Sequence, residues 1–210
     1  MKKTIGAIAA ILALSAGLAH AETDVRSGFK AGEYETAGSK VDYTGVQVEA
    51  SGSKEKLNYN LDINVGELDG YTLQSIKGEV AYMVNDYVGP KLTHEWVNSD
   101  GTKDTMTFAG ITGKYTAAED LGVYGDVLFG KDEAKVAKIG ASYSGLDHIG
   151  LWGELDGTDA DDILTQKVEV GAKYKIDNVG SVYGKVFHEW DDAAVETKGT
   201  GIGAGLSLSF

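Results

Sequence analysis

The tripeptide His-Glu-Trp occurs twice, at His94-Glu95-Trp96 and His188-Glu189-Trp190. Two histidines beside carboxylates raise the chemistry of a metal site or a general base. A zinc protease motif needs a second His four residues further along a helix, and neither copy has one. In a strand, His and Trp of each copy share one face and the Glu takes the other. That arrangement suits a half-wet interfacial belt better than a metal centre. A second source of chemistry is acidic. "ELDGTDADD" carries Glu154, Asp156, Asp159, Asp161 and Asp162, and "EWDDAAVE" carries Asp191, Asp192 and Glu196. Such oxygens can hold Ca²⁺, but the ligand spacing of a calcium loop and its closing Glu at the twelfth position are missing. Both stretches read as solvated loops. His148 sits at a turn signal, and Ser99 and Ser181 have no nucleophile motif around them. Without Cys there is no thiolate nucleophile and no disulfide. The residues therefore specify no catalytic constellation, no cofactor and no resident metal, and the expectation is a protein that is not an enzyme.

The elements that carry these residues are read from the pattern. Residues 1–21 have Lys2 and Lys3, an apolar run from Ile5 to Leu18 and a small-x-small site at Ala19-His20-Ala21, which is the form of a cleaved secretory signal peptide. The remaining 22–210 form one domain. Removing two lysines from the formal charge of −13 gives −15, which excludes a nucleic-acid partner. No further segment reaches the run of about 18 apolar residues that a membrane helix needs.

Period-2 alternation dominates the domain. In "LNYNLDINV", Leu57, Tyr59, Leu61, Ile63 and Val65 alternate with Asn58, Asn60, Asp62 and Asn64. That is the signature of a strand with two unlike faces. Turn signals divide the chain into about twelve strands, near 25–35, 41–51, 56–65, 71–83, 87–97, 104–115, 121–130, 135–144, 148–155, 164–176, 179–190 and 200–210. The count falls to ten if two of the shorter runs are loops. A change of phase between Gly45 and Val46 predicts a bulge within 41–51. A weak repeat starts at Tyr82, Tyr115, Tyr143 and Tyr174, at roughly one hairpin per repeat.

A sheet of such strands is a soluble sandwich or barrel with the apolar face inside, or a membrane barrel with it outside. The aromatics favour the second. Tyr82, Tyr115, Tyr143 and Tyr174 fall at one set of strand ends and Trp96 and Trp190 at the other, as two interfacial girdles would. The polar face then points to a lumen. It would carry Arg26, Lys30, Asn58, Asn60, Asp62, Lys77, Glu79, Lys91, Glu95, Asp126, Glu154, Lys167, Glu169, Lys173, Lys175, Lys185 and Glu189 as pore-lining candidates. A Lys on the lipid face at mid-membrane would cost about 2–4 kcal/mol, so this sorting tests the assignment. The expected fold is an all-β, antiparallel, up-and-down transmembrane barrel.

The ending "GIGAGLSLSF" resembles the C-terminal signature of Gram-negative outer-membrane β-barrel proteins, in which alternating apolar residues lead to a terminal Phe. Size and strand number are similar to the small twelve-stranded oligosaccharide porins. Their arginine-rich lumen is not repeated, because this chain has a single Arg, Arg26. The resemblance implies export to the outer membrane and insertion by the assembly machinery through Leu206, Leu208 and Phe210. It implies outer-membrane lipid and lipopolysaccharide as surroundings, a monomer, and passive diffusion of small polar solutes. The rival expectation is a closed structural or adhesion barrel acting through its acidic outer loops.

Overall fold

The computed structural model describes residues 22–176 and 180–209. The leader 1–21 and Phe210 lie outside the described residues.

The alternation is realised as twelve antiparallel strands: β1 (Glu22–Thr36), β2 (Ser39–Lys54), β3 (Leu57–Leu68), β4 (Tyr71–Tyr82), β5 (Val88–Ser99), β6 (Thr102–Ala118), β7 (Leu121–Gly130), β8 (Lys135–Leu146), β9 (Ile149–Ala160), β10 (Ile163–Ile176), β11 (Gly180–Asp191) and β12 (Thr197–Ser209). Each pairs with its sequence neighbours, and β12 closes on β1. In that seam Val25 faces Leu208 and Phe29 faces Ala204, and the Ser209 hydroxyl donates to the Asp24 carboxylate. Closure leaves no unpaired edge, the condition for a sheet to stand in lipid.

Residues paired across a ladder share a face, so the registers sort the side chains without ambiguity. One face carries Ile111, Val127, Val170, Val186, Ile202 and Leu206, each more than half exposed. These point outward, which makes the barrel's outer wall apolar. Also outward, Val48 and Ala50 pack with Val25, Val46 and Ile63. The inward face is polar, with a small apolar patch of Phe108 and Leu128.

The bulge expected in 41–51 is absent: the β1–β2 and β2–β3 ladders run without a shift from Tyr43 to Ser53. The change of phase has another cause. Tyr43 points into the barrel and Val46 out of it, so both obey one period. Tyr43 folds over Gly66, where a Cβ would stand 2.6 Å from the ring's Cε2. The irregularities occur instead near the ends of two ladders, at Thr116/Ala118 between β6 and β7 and at Tyr143/Leu146 between β8 and β9.

Turns are short at both ends of the barrel. At the end away from the chain termini, Asp69-Gly70 and Asp100-Gly101 make two-residue hairpins with both residues at positive φ, as type I′ turns require. The expected acidic loop over 154–162 is corrected. β9 runs on to Ala160, so only Asp161 and Asp162 form the turn. Glu154 and Asp156 lie in the strand, across from Glu169 and Lys167, and face inward.

Candidate functional site: an ion-paired lumen

The inward face holds charge that is mostly paired. Lys91 lies between two carboxylates, 3.1 Å from Glu79 and 2.7 Å from Asp126. Its side chain is 10% exposed, so both contacts are poorly screened. Lys77 reaches the same Glu79 at 3.3 Å. Across the barrel, Glu169 receives Lys185 at 3.0 Å and Lys167 at 3.3 Å, and Trp152 donates to it at 3.4 Å. Lys138 pairs with Glu154 at 2.8 Å, and the Tyr124 hydroxyl donates to the same carboxylate at 2.9 Å. Arg26 meets Glu49 at 3.5 Å. Asp62 accepts two hydrogen bonds from Gln47 and one from Asn64, and Lys30 donates to Asn64 at 3.2 Å.

Two of these clusters are copies of one pattern. Lys77 and Glu79 on β4 with Lys91 and Glu95 on β5 match Lys167 and Glu169 on β10 with Lys185 and Glu189 on β11. β5 and β11 are six strands apart in a ring of twelve, so the copies stand on opposite walls. Each contains one His-Glu-Trp. The outward half is duplicated as well: His94 bonds Thr107 and His188 bonds Thr200, each at 2.8 Å, on the outer wall. His188 also stacks on Trp190 at 5.4 Å.

The inward glutamates of the two His-Glu-Trp copies differ from Glu79 and Glu169. Glu95 lies across from Lys77, and Glu189 across from Lys167. Both lysines turn instead to Glu79 and Glu169. Among the described residues, neither Glu95 nor Glu189 has an ion-pair partner. Both line a cavity of about 360 Å³ near the end of the barrel away from the termini, together with Lys30, Lys167, Tyr34, Tyr43 and Phe187. A smaller cavity of about 190 Å³, lined by Asn58, Asn60, Glu79, Lys91 and Tyr124, lies towards the other end. Lys173 and Lys175 line a cavity at the mouth nearest the termini.

Inward aromatic rings lie on inward glycines. A Cβ on Gly201 would stand 2.5 Å from Phe187 Cζ, and one on Gly130 would stand 2.8 Å from Phe108 Cδ1. Tyr34 covers Gly199, Tyr124 covers Gly140 and Trp152 covers Gly171 in the same way. Each bare backbone lets a ring lie flat against the wall instead of across the lumen. The abundance of glycine inside the alternation has this physical use.

The pore-lining candidates thus share the inward face with Asn64, which the alternation also puts on the polar side, and with residues that pattern reading passed over: Glu49, Lys138, Asp156 and the amide of Gln47. Lys138 was legible, because it sits between outward Ala137 and Ile139. Glu49 was obscured by the expected bulge, and Asp156 by its assignment to a loop. Asp156 retains a buried Oδ1 without a hydrogen-bond partner. Of the aromatic positions, Tyr82, Tyr115, Tyr143 and Tyr174 project outward near the end that carries the termini, and Tyr87 stands 6.2 Å from Tyr115. Trp96 and Trp190 lie on the outer wall towards the opposite end.

No protein-family model and no curated protein matches the sequence. Solved structures do match in fold. The chain is similar to an outer membrane channel from Pseudomonas putida F1, with TM-score 0.59 and 11% identity over 90% of this chain and 95% of that one. It is similar to the KdgM porin solved in complex with disordered oligogalacturonate, with TM-score 0.53 and 12% identity over 85% and 97%. It is similar also to the translocator domain of the autotransporter NalP from Neisseria meningitidis, with TM-score 0.51 and 14% identity over 97% of each chain. At these identities the likeness is one of architecture: a closed antiparallel barrel of the outer-membrane type. The last of the three is a translocator domain, so the architecture alone does not select a cargo.

Proposed function

We propose that this chain is an outer-membrane channel for passive diffusion of small polar solutes. The observation that carries the reading is the radial sorting of charge. Lys and Glu that would each be costly in lipid are gathered inside a closed barrel, while the outer wall is apolar. Cavities lie along that charged interior, which gives a hydrated solute polar surfaces to exchange for its water. On this reading residues 1–21 are removed on export, the barrel stands as a monomer in outer-membrane lipid beside lipopolysaccharide, and the strand ending in Leu206, Leu208 and Phe210 engages the assembly machinery. Tyr82, Tyr115, Tyr143, Tyr174, Trp96 and Trp190 then sit at the two membrane interfaces. Arg26, the lysines and the carboxylates of the inward face line the path. No step requires a catalytic residue.

The test is conductance. Purified, refolded protein inserted in a planar bilayer should give stepwise, ohmic ion current. Silence from protein whose folding is verified by heat-dependent gel migration would overturn the channel and favour a closed barrel.

A further inference from the structure

We propose that the cavity between Tyr34, Tyr43, Phe187, Glu95 and Glu189 is a binding vestibule for small organic cations bearing an ammonium group. The inference deepens the channel reading and rests on it, since it names the solute class that this end of the lumen would concentrate.

Three observations converge. The first is charge. Glu95 and Glu189 come from opposite walls into one cavity of about 360 Å³, within the usual range for small-ligand sites. Their cross-strand lysines are held by other carboxylates, Lys77 by Glu79 and Lys167 by Glu169. Lys30 and Lys167 also line the cavity, but Lys167 is paired with Glu169 and Lys30 donates to Asn64, so neither cavity glutamate has an ion-pair partner. A cation entering the cavity therefore gains carboxylate partners without breaking an ion pair.

The second is the wall. Tyr34 and Tyr43 meet edge to face, with centroids 6.2 Å apart at 83°. Each lies on a glycine, Tyr34 on Gly199 and Tyr43 on Gly66, and both line the cavity. Aromatic faces attract ammonium groups through the ring quadrupole, the more so when several rings surround the cation. The third is an internal example. Lys167 Nζ lies 5.7 Å from the centroid of Phe187, so one ring of this cavity already carries an ammonium. Among the described residues, neither Tyr34 nor Tyr43 has a cation over it.

A metal ion would use the carboxylates and leave the rings idle. A neutral sugar would use the rings and leave the carboxylates unpaired. An organic ammonium uses both.

The probe is choline, compared with 3,3-dimethylbutan-1-ol, which has the same shape and no charge. Titration calorimetry on the folded protein in neutral detergent needs no ion flow, so it separates this inference from the channel itself. The expected result is saturable binding of choline, with the alcohol at least tenfold weaker. The double variant Glu95→Gln, Glu189→Gln breaks no ion pair, so it should fold and should weaken choline at least tenfold. Equal binding of choline and the alcohol, no binding of either, or unchanged affinity in the double variant would each overturn the proposal. If choline binds while bilayers stay silent, the vestibule stands and the channel falls. If bilayers conduct and choline does not bind, the reverse holds.

Discussion

Glu95 and Glu189 face one cavity from strands six apart in a ring of twelve, each four residues beyond a lysine, Lys91 or Lys185, that is bound to a belt carboxylate. The pairing below them explains their freedom. Glu79 and Glu169 each collect two lysines, and the lysine taken from the cross-strand position leaves the glutamate above without a partner. The belt is thus ion-paired at its centre, with two unpaired glutamates towards the end away from the termini.

Lys91 is as enclosed as Lys185, each side chain 10% exposed, and Lys91→Met would leave Glu79 and Asp126 facing each other with one cation fewer. Breaking a buried ion pair by removing one partner costs about 3–5 kcal/mol. The urea midpoint of the refolded barrel should fall accordingly. The exposed pair Lys131–Asp132 is the control, and Lys131→Met should leave the midpoint where it is.

Gly201 holds Phe187 against the wall. Gly201→Ala places a methyl 2.5 Å from Phe187 Cζ and 2.6 Å from the Ala31 carbonyl oxygen. A steric misfit of this kind costs about 1–3 kcal/mol. Gly78→Ala, with nothing within 4 Å of its added Cβ, should be neutral or slightly stabilising in the same unfolding measurement.

The hairpin at Asp161-Asp162 has φ of 52° and 61° without a glycine. A left-handed residue other than Gly carries strain of about 1–2 kcal/mol, less for Asp than for most. Asp162→Gly should therefore raise stability by about 0.5–1 kcal/mol, read as a higher unfolding midpoint.

Val170 and Ile202 are outward and more than half exposed. Val170→Lys or Ile202→Lys should lower the stability of the barrel in phospholipid vesicles by about 2–4 kcal/mol if the position is near mid-membrane. An unchanged folding free energy in vesicles would mean that this face does not meet lipid.

The period of two was legible from the residues alone. It placed twelve strands, though it ended the ninth at 155 where β9 runs to Ala160, and it separated apolar from polar positions. The reason is geometric, since successive side chains of a strand point to opposite faces whatever the strand pairs with. Other features depended on neighbours. The five residues Gly-Glu-Leu-Asp-Gly occur at 66–70 and again at 153–157. At the first site Asp69-Gly70 is a turn, Leu68 points inward and Glu67 outward; at the second the strand continues, Glu154 points inward and Leu155 outward. The flanking alternation fixes each phase, through Leu61, Ile63 and Val65 in one case and Ile149 and Leu151 in the other. Where the strand ends is then settled by ladder partners: Asp159 still pairs with Lys135 on β8 and Leu164 on β10. Lys77 likewise pairs with Glu79 on its own strand and not with Glu95 across from it, which the alternation does not encode. Local chemistry determined which residues face the lumen. Only the closed barrel, by bringing six further strands around to the opposite wall, decided that the two glutamates left over would share one cavity.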